Sequence, residues 1–244
     1  MAGMAMRTTY GHRGRRGARV ATLLGALVGG CVVSPQPSPP VHEPILDTGL
    51  VGVSGDPQVL RQQVFLKGEP GAVEPAEGVV VVTNLDSADA PVIAEISRDG
   101  SFVAAVDAST DQVLRIQVKQ GERRSEPVDL QLTGEPISAA QTMLAHLPCL
   151  TIEPASWVSL EAGESDVVVR NTCAEDVSIG APRLRRGAGP FGFSPAEAFV
   201  VPAGESAVVT VHADGEGVER EDVLFLEVTA PEPGRRVLTL TLPD

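Results

Sequence analysis

The chain has 244 residues, is 43% hydrophobic but only 3% aromatic, and carries 25 Gly and 20 Pro, long enough for one large domain or two small ones that each bury a core. Its formal net charge is -13; five of the 19 basic residues, Arg7, Arg13, Arg15, Arg16 and Arg19, come before residue 20, so 14 remain against 32 acids. So acidic a surface repels phosphate backbones and excludes nucleic acid as a partner, and Val, Leu and Ala interrupted by turn formers argue for short strands rather than helices.

In chain order, the arginines lead into "VATLLGALV", Val20–Val28. This run is shorter than the ~20 helical residues a bilayer requires, so it reads as an export signal rather than an anchor. Met4 or Met6 as the start would leave that signal intact, and later apolar runs such as "GVVVV" at 78–82 are strand-sized. "LVGGC", Leu27–Cys31, resembles the lipobox of bacterial lipoproteins: Val28 is aliphatic, Gly29 and Gly30 are small, and Cys31 follows. The resemblance implies cleavage before Cys31, a diacylglyceryl group on its thiol and an acylated amino terminus. Two or three chains such as palmitate, at about 0.8 kcal/mol per buried CH2, anchor a protein that one chain holds only marginally. An ordinary signal cut elsewhere, with Cys31 incidental, is the alternative. "GRRGAR" hints at a twin-arginine signal, but the bulky apolar residue expected after the pair is missing, which favours the general secretory route. In Gram-negative lipoproteins an aspartate after the cysteine often signals inner-membrane retention; Val32 stands there, so the resemblance favours the outer membrane of the cell envelope.

"VVSPQPSPPVHEP" follows, with five prolines in thirteen residues. Such sequence is extended and semi-rigid, at about 3 Å per residue, and cannot join a core. Residues 31–44 therefore read as a tether after a signal of residues 1–30.

Residues 45–133 alternate strand patterns with turn signals: 48–53, 63–67, 79–85, 91–97, 101–106, 113–119 and 127–132. In "VLRIQVK", Leu114, Ile116 and Val118 share one face while Arg115, Gln117 and Lys119 share the other, the period of a strand covering a core on one side. "RDGS" at 98–101 supplies the Asp-Gly that a tight hairpin favours. Seven short strands at this spacing predict an immunoglobulin-like sandwich. The stretch also resembles the small Ig-like modules of bacterial surface proteins, in its "DGSF" turn and "SEPV" exit. Residues 134–148, "GEPISAAQTMLAHLP", read either as one or two helical turns or as a plain connector.

Residues 149–244 hold an echo, "EAGESDVVV" at 161–169 and "PAGESAVVT" at 202–210. It reads either as a duplicated site or as two edge turns in which Gly163 and Gly204 supply positive φ, and the second reading is preferred. The overall pattern, from "LTIEP" through "FGFSP" to "RRVLTLTLP", resembles abnormal-spindle and hydin type Ig-like domains and choice-of-anchor modules. That implies a strand scaffold that binds other proteins or packs against like domains.

With Cys31 assigned to lipid, Cys149 and Cys173 remain, placed symmetrically about residue 161. Antiparallel pairing of the flanking runs brings the thiols together, and export provides an oxidising compartment, so a disulfide is predicted, contributing about 3 kcal/mol. His12, His42, His146 and His212 have no partner at ligand spacing, and Ser54 in "GVSGD" lacks the spacing of a nucleophile elbow, so neither a metal site nor catalytic residues are expected. The acidic stretch Asp214–Asp222 does not fit an EF-hand order and reads as a solvated loop, with calcium left open. Trp157, the single tryptophan, is expected in core or edge packing rather than as a sugar platform.

The expectation is an all-β chain: two immunoglobulin-like sandwich domains after a signal peptide and Pro-rich stalk, lipid-anchored, with a structural or protein-binding role in the envelope. No cofactor besides the lipid on Cys31 and no small-molecule substrate is expected; the partners are the membrane and an envelope protein. The alternatives, an envelope enzyme or a solute-binding lipoprotein, require an inter-domain cleft.

Overall fold

The computed structural model describes residues 42–56, 63–134, 136–161, 163–187, 189–214 and 220–243, all within one compact unit, His42–Asp244. Its first half runs through β1 (Ile45–Leu46), β2 (Val51–Asp56), β3 (Gln63–Gly68), β4 (Val73–Glu74), β5 (Val79–Asn84), β6 (Val92–Glu95), β7 (Phe102–Asp107), β8 (Val113–Gln120), β9 (Arg123–Arg124), β10 (Val128–Thr133) and β11 (Ser138–Gln141). One sheet has the order β2-β3-β7; the other is β11-β10-β8-β5-β6, with β9 attached to β8, while β1 and β4 form a small ribbon. In immunoglobulin lettering the main strands read A-B-E against G-F-C-C′, extended by β11. The pairs are antiparallel, and alternate residues meet between the sheets: Val64 and Leu66 from β3, Val80 and Val82 from β5, and Leu114, Ile116 and Val118 from β8 are each 0% exposed. Each such side chain contributes about 1.5–3 kcal/mol.

Three details depart from the sequence reading. The run at 48–53 begins as a 3-10 turn, Thr48–Leu50, in which the Asp47 carboxylate accepts the Gly49 N–H at 2.9 Å, so the strand starts at Val51. "RDGS" makes the expected reversal, with Asp99 Oδ1 accepting both the N–H and the hydroxyl of Ser101, but not a hairpin. β6 pairs with β5 and β7 pairs with β3, so the chain arches from one sheet to the other. Asp-Gly fixes the turn, while Ala94 and Ala104 enter one core from opposite sheets. Residues 134–148 hold β11, which adds to β10 from Leu130↔Gln141 to Thr133↔Ser138. Ile137 packs on the first core as the chain enters that strand.

The second half runs through β12 (Leu150–Glu153), β13 (Trp157–Ser159), β14 (Glu164–Asn171), β15 (Val177–Ile179), β16 (Arg183–Leu184), β17 (Phe191–Ser194), β18 (Phe199–Val201), β19 (Ser206–Ala213), β20 (Glu221–Ala230) and β21 (Gly234–Thr241). Its sheets have the orders β12-β14-β19-β17 and β13-β21-β20-β15-β18, with β16 on β20. The first strand of this sandwich changes sheets between Glu153 and Trp157, since β12 pairs antiparallel with β14 whereas β13 pairs parallel with β21. Val167, Val169, Val209 and Val211 face Leu224, Leu226, Leu238 and Leu240 across the second core.

Candidate functional site

The most constructed polar region lies where the two sandwiches meet. The face of β8 expected to be solvated is covered, with Arg115 at 6% and Gln117 at 3% exposure. Its partner face is the outward side of β20 and β21. Because Leu224, Leu226, Leu238 and Leu240 point into the second core, strand alternation turns Val223, Phe225, Val237 and Thr239 the other way. Leu85 and Val113 from the first sandwich join Val223, Phe225 and Val237 in a separate buried apolar cluster. The run "DVLFLEV" carries the missed signal: it is apolar on both faces, as in a strand covered on both sides.

Around that cluster the arginines reach main-chain oxygens and carboxylates, with Arg185 Nε and Nη2 buried without a hydrogen-bond partner among the described residues. Arg115 holds Asp129 bidentately, Nε to Oδ1 and Nη2 to Oδ2 at 2.8 Å each, and reaches across with Nη1 to the carbonyl of Val237 at 2.8 Å. Thr239 and Gln117 share a 3.2 Å hydrogen bond. Arg124, its side chain 2% exposed, places Nη2 2.6 Å from Glu221 Oε2. In the other direction, Arg185 Nη1 donates to the carbonyls of Asn84, Ser87 and Asp89, capping the β5–β6 loop. Burial pulls its guanidinium below the usual arginine value, and the Asp222 charge acts against that shift. Asp222, 1% exposed, accepts the N–H groups of Arg186, Gly187 and Val223, which fixes the chain leading from Arg185. The guanidinium carbons of Arg183 and Arg235 lie 4.2 and 5.0 Å from the centre of the Phe225 ring. Such contacts gain from desolvation. Packed apolar groups, charge-assisted hydrogen bonds and stacked cations therefore occupy the junction.

A disulfide joins Cys149 to Cys173. The register Leu150↔Asn171 continues outward so that Cys149 O accepts the Thr172 N–H at 2.8 Å; Cys173 therefore sits one residue beyond the opposite position, within reach. Asn171, 0% exposed, organises this corner by donating to the carbonyls of Glu175 and Val201 and accepting the Cys173 N–H. Arg236 Nη2 donates to the carbonyls of Leu147 and Leu150, tying the connector to the same corner, and desolvation lowers its pKa.

The lipobox residues Val28, Gly29, Gly30 and Cys31, and His12, lie outside the described residues. The other candidates are dispersed. His42 precedes β1, His146 is exposed in the connector, and His212 lies on β19 with its ring across Gly192. Ser54 is exposed on β2, and Trp157 is half-buried on the edge strand β13. Within Asp214–Asp222, residues 215–219 lie outside the described set, and Asp222 serves the junction rather than a loop. Gly163 and Gly204 have φ of 83° and 78° and nothing near a Cβ position, so the echo marks two turns of the same backbone shape. Among the described residues no group of three or more His, Cys, Asp or Glu is placed to hold a metal ion. No helix there is long and apolar enough to cross a membrane.

The fold is all-β, built of immunoglobulin-like sandwiches. No family model matches the sequence, and no curated protein matches it. Among solved structures, WR4, an MSP family member of C. elegans, is 12% identical with a TM-score of 0.32 over 38% of this chain and 97% of that one. The CupB2 chaperone of Pseudomonas aeruginosa is 18% identical with a TM-score of 0.29, over 37% of this chain and 54% of its own. The adhesin InvE of Yersinia pseudotuberculosis is 13% identical with a TM-score of 0.26, over 80% and 60%.

Proposed function

We propose that this chain is a lipid-anchored protein of the bacterial cell envelope whose sandwiches serve as a rigid structural or protein-binding unit without catalysis. The carrying observation is the position of Cys31: after a short apolar run and two glycines, and before the proline-rich stretch that ends where the folded unit begins. Acyl chains on Cys31 supply the membrane affinity, and the extended tether lifts the sandwiches off the lipid surface. The junction supports the rigid reading, because separating the halves would strand Arg115, Arg185 and Gln117 without their cross-junction partners. Export by the general secretory route and the outer membrane as destination follow from the lipobox and Val32, and the partner is another envelope protein.

The test is fractionation of cells making the wild type and Cys31→Ser. The wild type is expected with membranes, carrying diacylglycerol on its first mature residue by mass spectrometry, and the variant in the soluble fraction. Equal distribution of the two, or a wild type without acyl chains, overturns anchoring.

A further inference from the structure

We propose that the open side of the first sandwich, along β7, binds an extended basic segment of another protein as an added strand. This specifies the binding role above, and it does not depend on the lipid. The opposite side of this sandwich is closed, since Gly55 of β2 abuts Ile137 just before β11. On the open side, among the described residues, β7 is paired only with β3, and β6 only with β5. An edge strand presents alternate main-chain donors and acceptors to any incoming strand. Val103 on the outer face of β7 is 59% exposed, and Ile93 on the outer face of β6, in the other sheet, is 68% exposed.

Between the two edges a cavity of about 320 Å³ enters the gap between the sheets. Val82, Val92 and Val106 form its walls, while Asn84, Asp89 and Asp107 lie at its polar end. A strand added to β7 turns alternate side chains outward, beside Val103, and the others toward this cavity. The inward position suits an aliphatic stem ending in a cation, a lysine or arginine, with its stem on the valines and its head toward the Asp89 carboxylate. Charge selects among occupants. The excess of acids over bases after residue 30 disfavours a second copy of this chain and favours a basic partner.

The probe is the blocked peptide TVKVTV and its Lys→Glu counterpart, titrated into full-length Cys31→Ser protein and followed by fluorescence anisotropy and amide exchange. The lysine peptide is expected to bind at least about tenfold more tightly than the glutamate peptide, the scale of one charge contact in a partly desolvated recess. It should slow exchange along Phe102–Asp107 and not along Val51–Gly55. Asp89→Lys should lose that preference, whereas Glu161→Lys, on an exposed turn of the other sandwich, should keep it. Absence of binding at millimolar peptide, equal affinity for both peptides, or protection on β2 overturns the proposal. So does a dimer in sedimentation that Val103→Asp dissociates, which assigns the edge to a second copy.

Discussion

Arg115 and Val237 lie 122 positions apart and are joined by a 2.8 Å hydrogen bond from Nη1 to the carbonyl oxygen, across the junction of two sandwiches. The same guanidinium holds Asp129, whose side chain is 12% exposed. Arg115→Ala leaves a mostly buried carboxylate and a carbonyl without their donor. Removing one partner of a buried ion pair costs about 3–5 kcal/mol. Urea unfolding should show a loss of that size, and a loss below about 1 kcal/mol would mean that water re-solvates Asp129 easily and the contact is incidental.

Phe225 is the apolar centre of that junction, 0% exposed and beside two arginines. Phe225→Ala is expected to cost about 3–5 kcal/mol, and the way the loss appears is informative. Trp157 is the chain's single tryptophan and lies in the second sandwich, so its fluorescence reports that half while far-ultraviolet circular dichroism reports both. In the wild type the two signals should change together on heating; in Phe225→Ala they should separate into two transitions. Coincident transitions in the variant would show that the halves are coupled through other contacts.

The strands were the legible part of this protein, because a core face repeats every second residue and Gly, Asp and Pro mark the reversals. "VLRIQVK" announced Leu114, Ile116 and Val118 as core, and they are. It gave no warning about Arg115 and Gln117, since a polar residue facing a neighbouring sandwich looks the same as one facing water. Only the opposing strand carried the signal, in Val223 and Phe225 alternating with Leu224 and Leu226. "RDGS" likewise specified a reversal but not the destination of the next strand, because sheet membership depends on long-range packing of Phe102 and Ala104 rather than on turn chemistry. β11 was hidden for a related reason. "SAAQ" has little strand propensity and is held as a strand by its pairing with β10.

Asp99 accepts both the hydroxyl and the N–H of Ser101, and these bonds lower its pKa from the ordinary carboxylate value. The ionised form is thus the bonded form in the folded chain. Any stability it lends is complete above the unfolded-state pKa and is lost as pH falls through the lower folded-state value. Ser101→Ala should move the Asp99 carboxyl titration upward in NMR. It should also narrow the stability gap between variant and wild type as the solution is acidified through that range. An unmoved titration would show that the hydroxyl contributes nothing to the turn.

The disulfide closes a loop with a sequence separation of 24 between Cys149 and Cys173. In the chain-entropy account such a closure contributes about 3 kcal/mol by restricting the unfolded chain. The native corner has other supports, however: Thr172 donates twice to Cys149 O, and Asn171 bridges Glu175 and Val201. Those bonds persist when the thiols are reduced, so the folded state should survive and the loss should appear in the unfolded reference. The double variant Cys149→Ser, Cys173→Ser is therefore expected to keep its circular dichroism spectrum and the amide protection of Asn171 at neutral pH. Its urea midpoint should fall by an amount equivalent to about 3 kcal/mol, with a larger denaturant slope because its unfolded chain exposes more surface. A native spectrum lost without denaturant would instead make the bridge a requirement of the fold. An unchanged midpoint would place the whole stability of the corner in Asn171 and its neighbours.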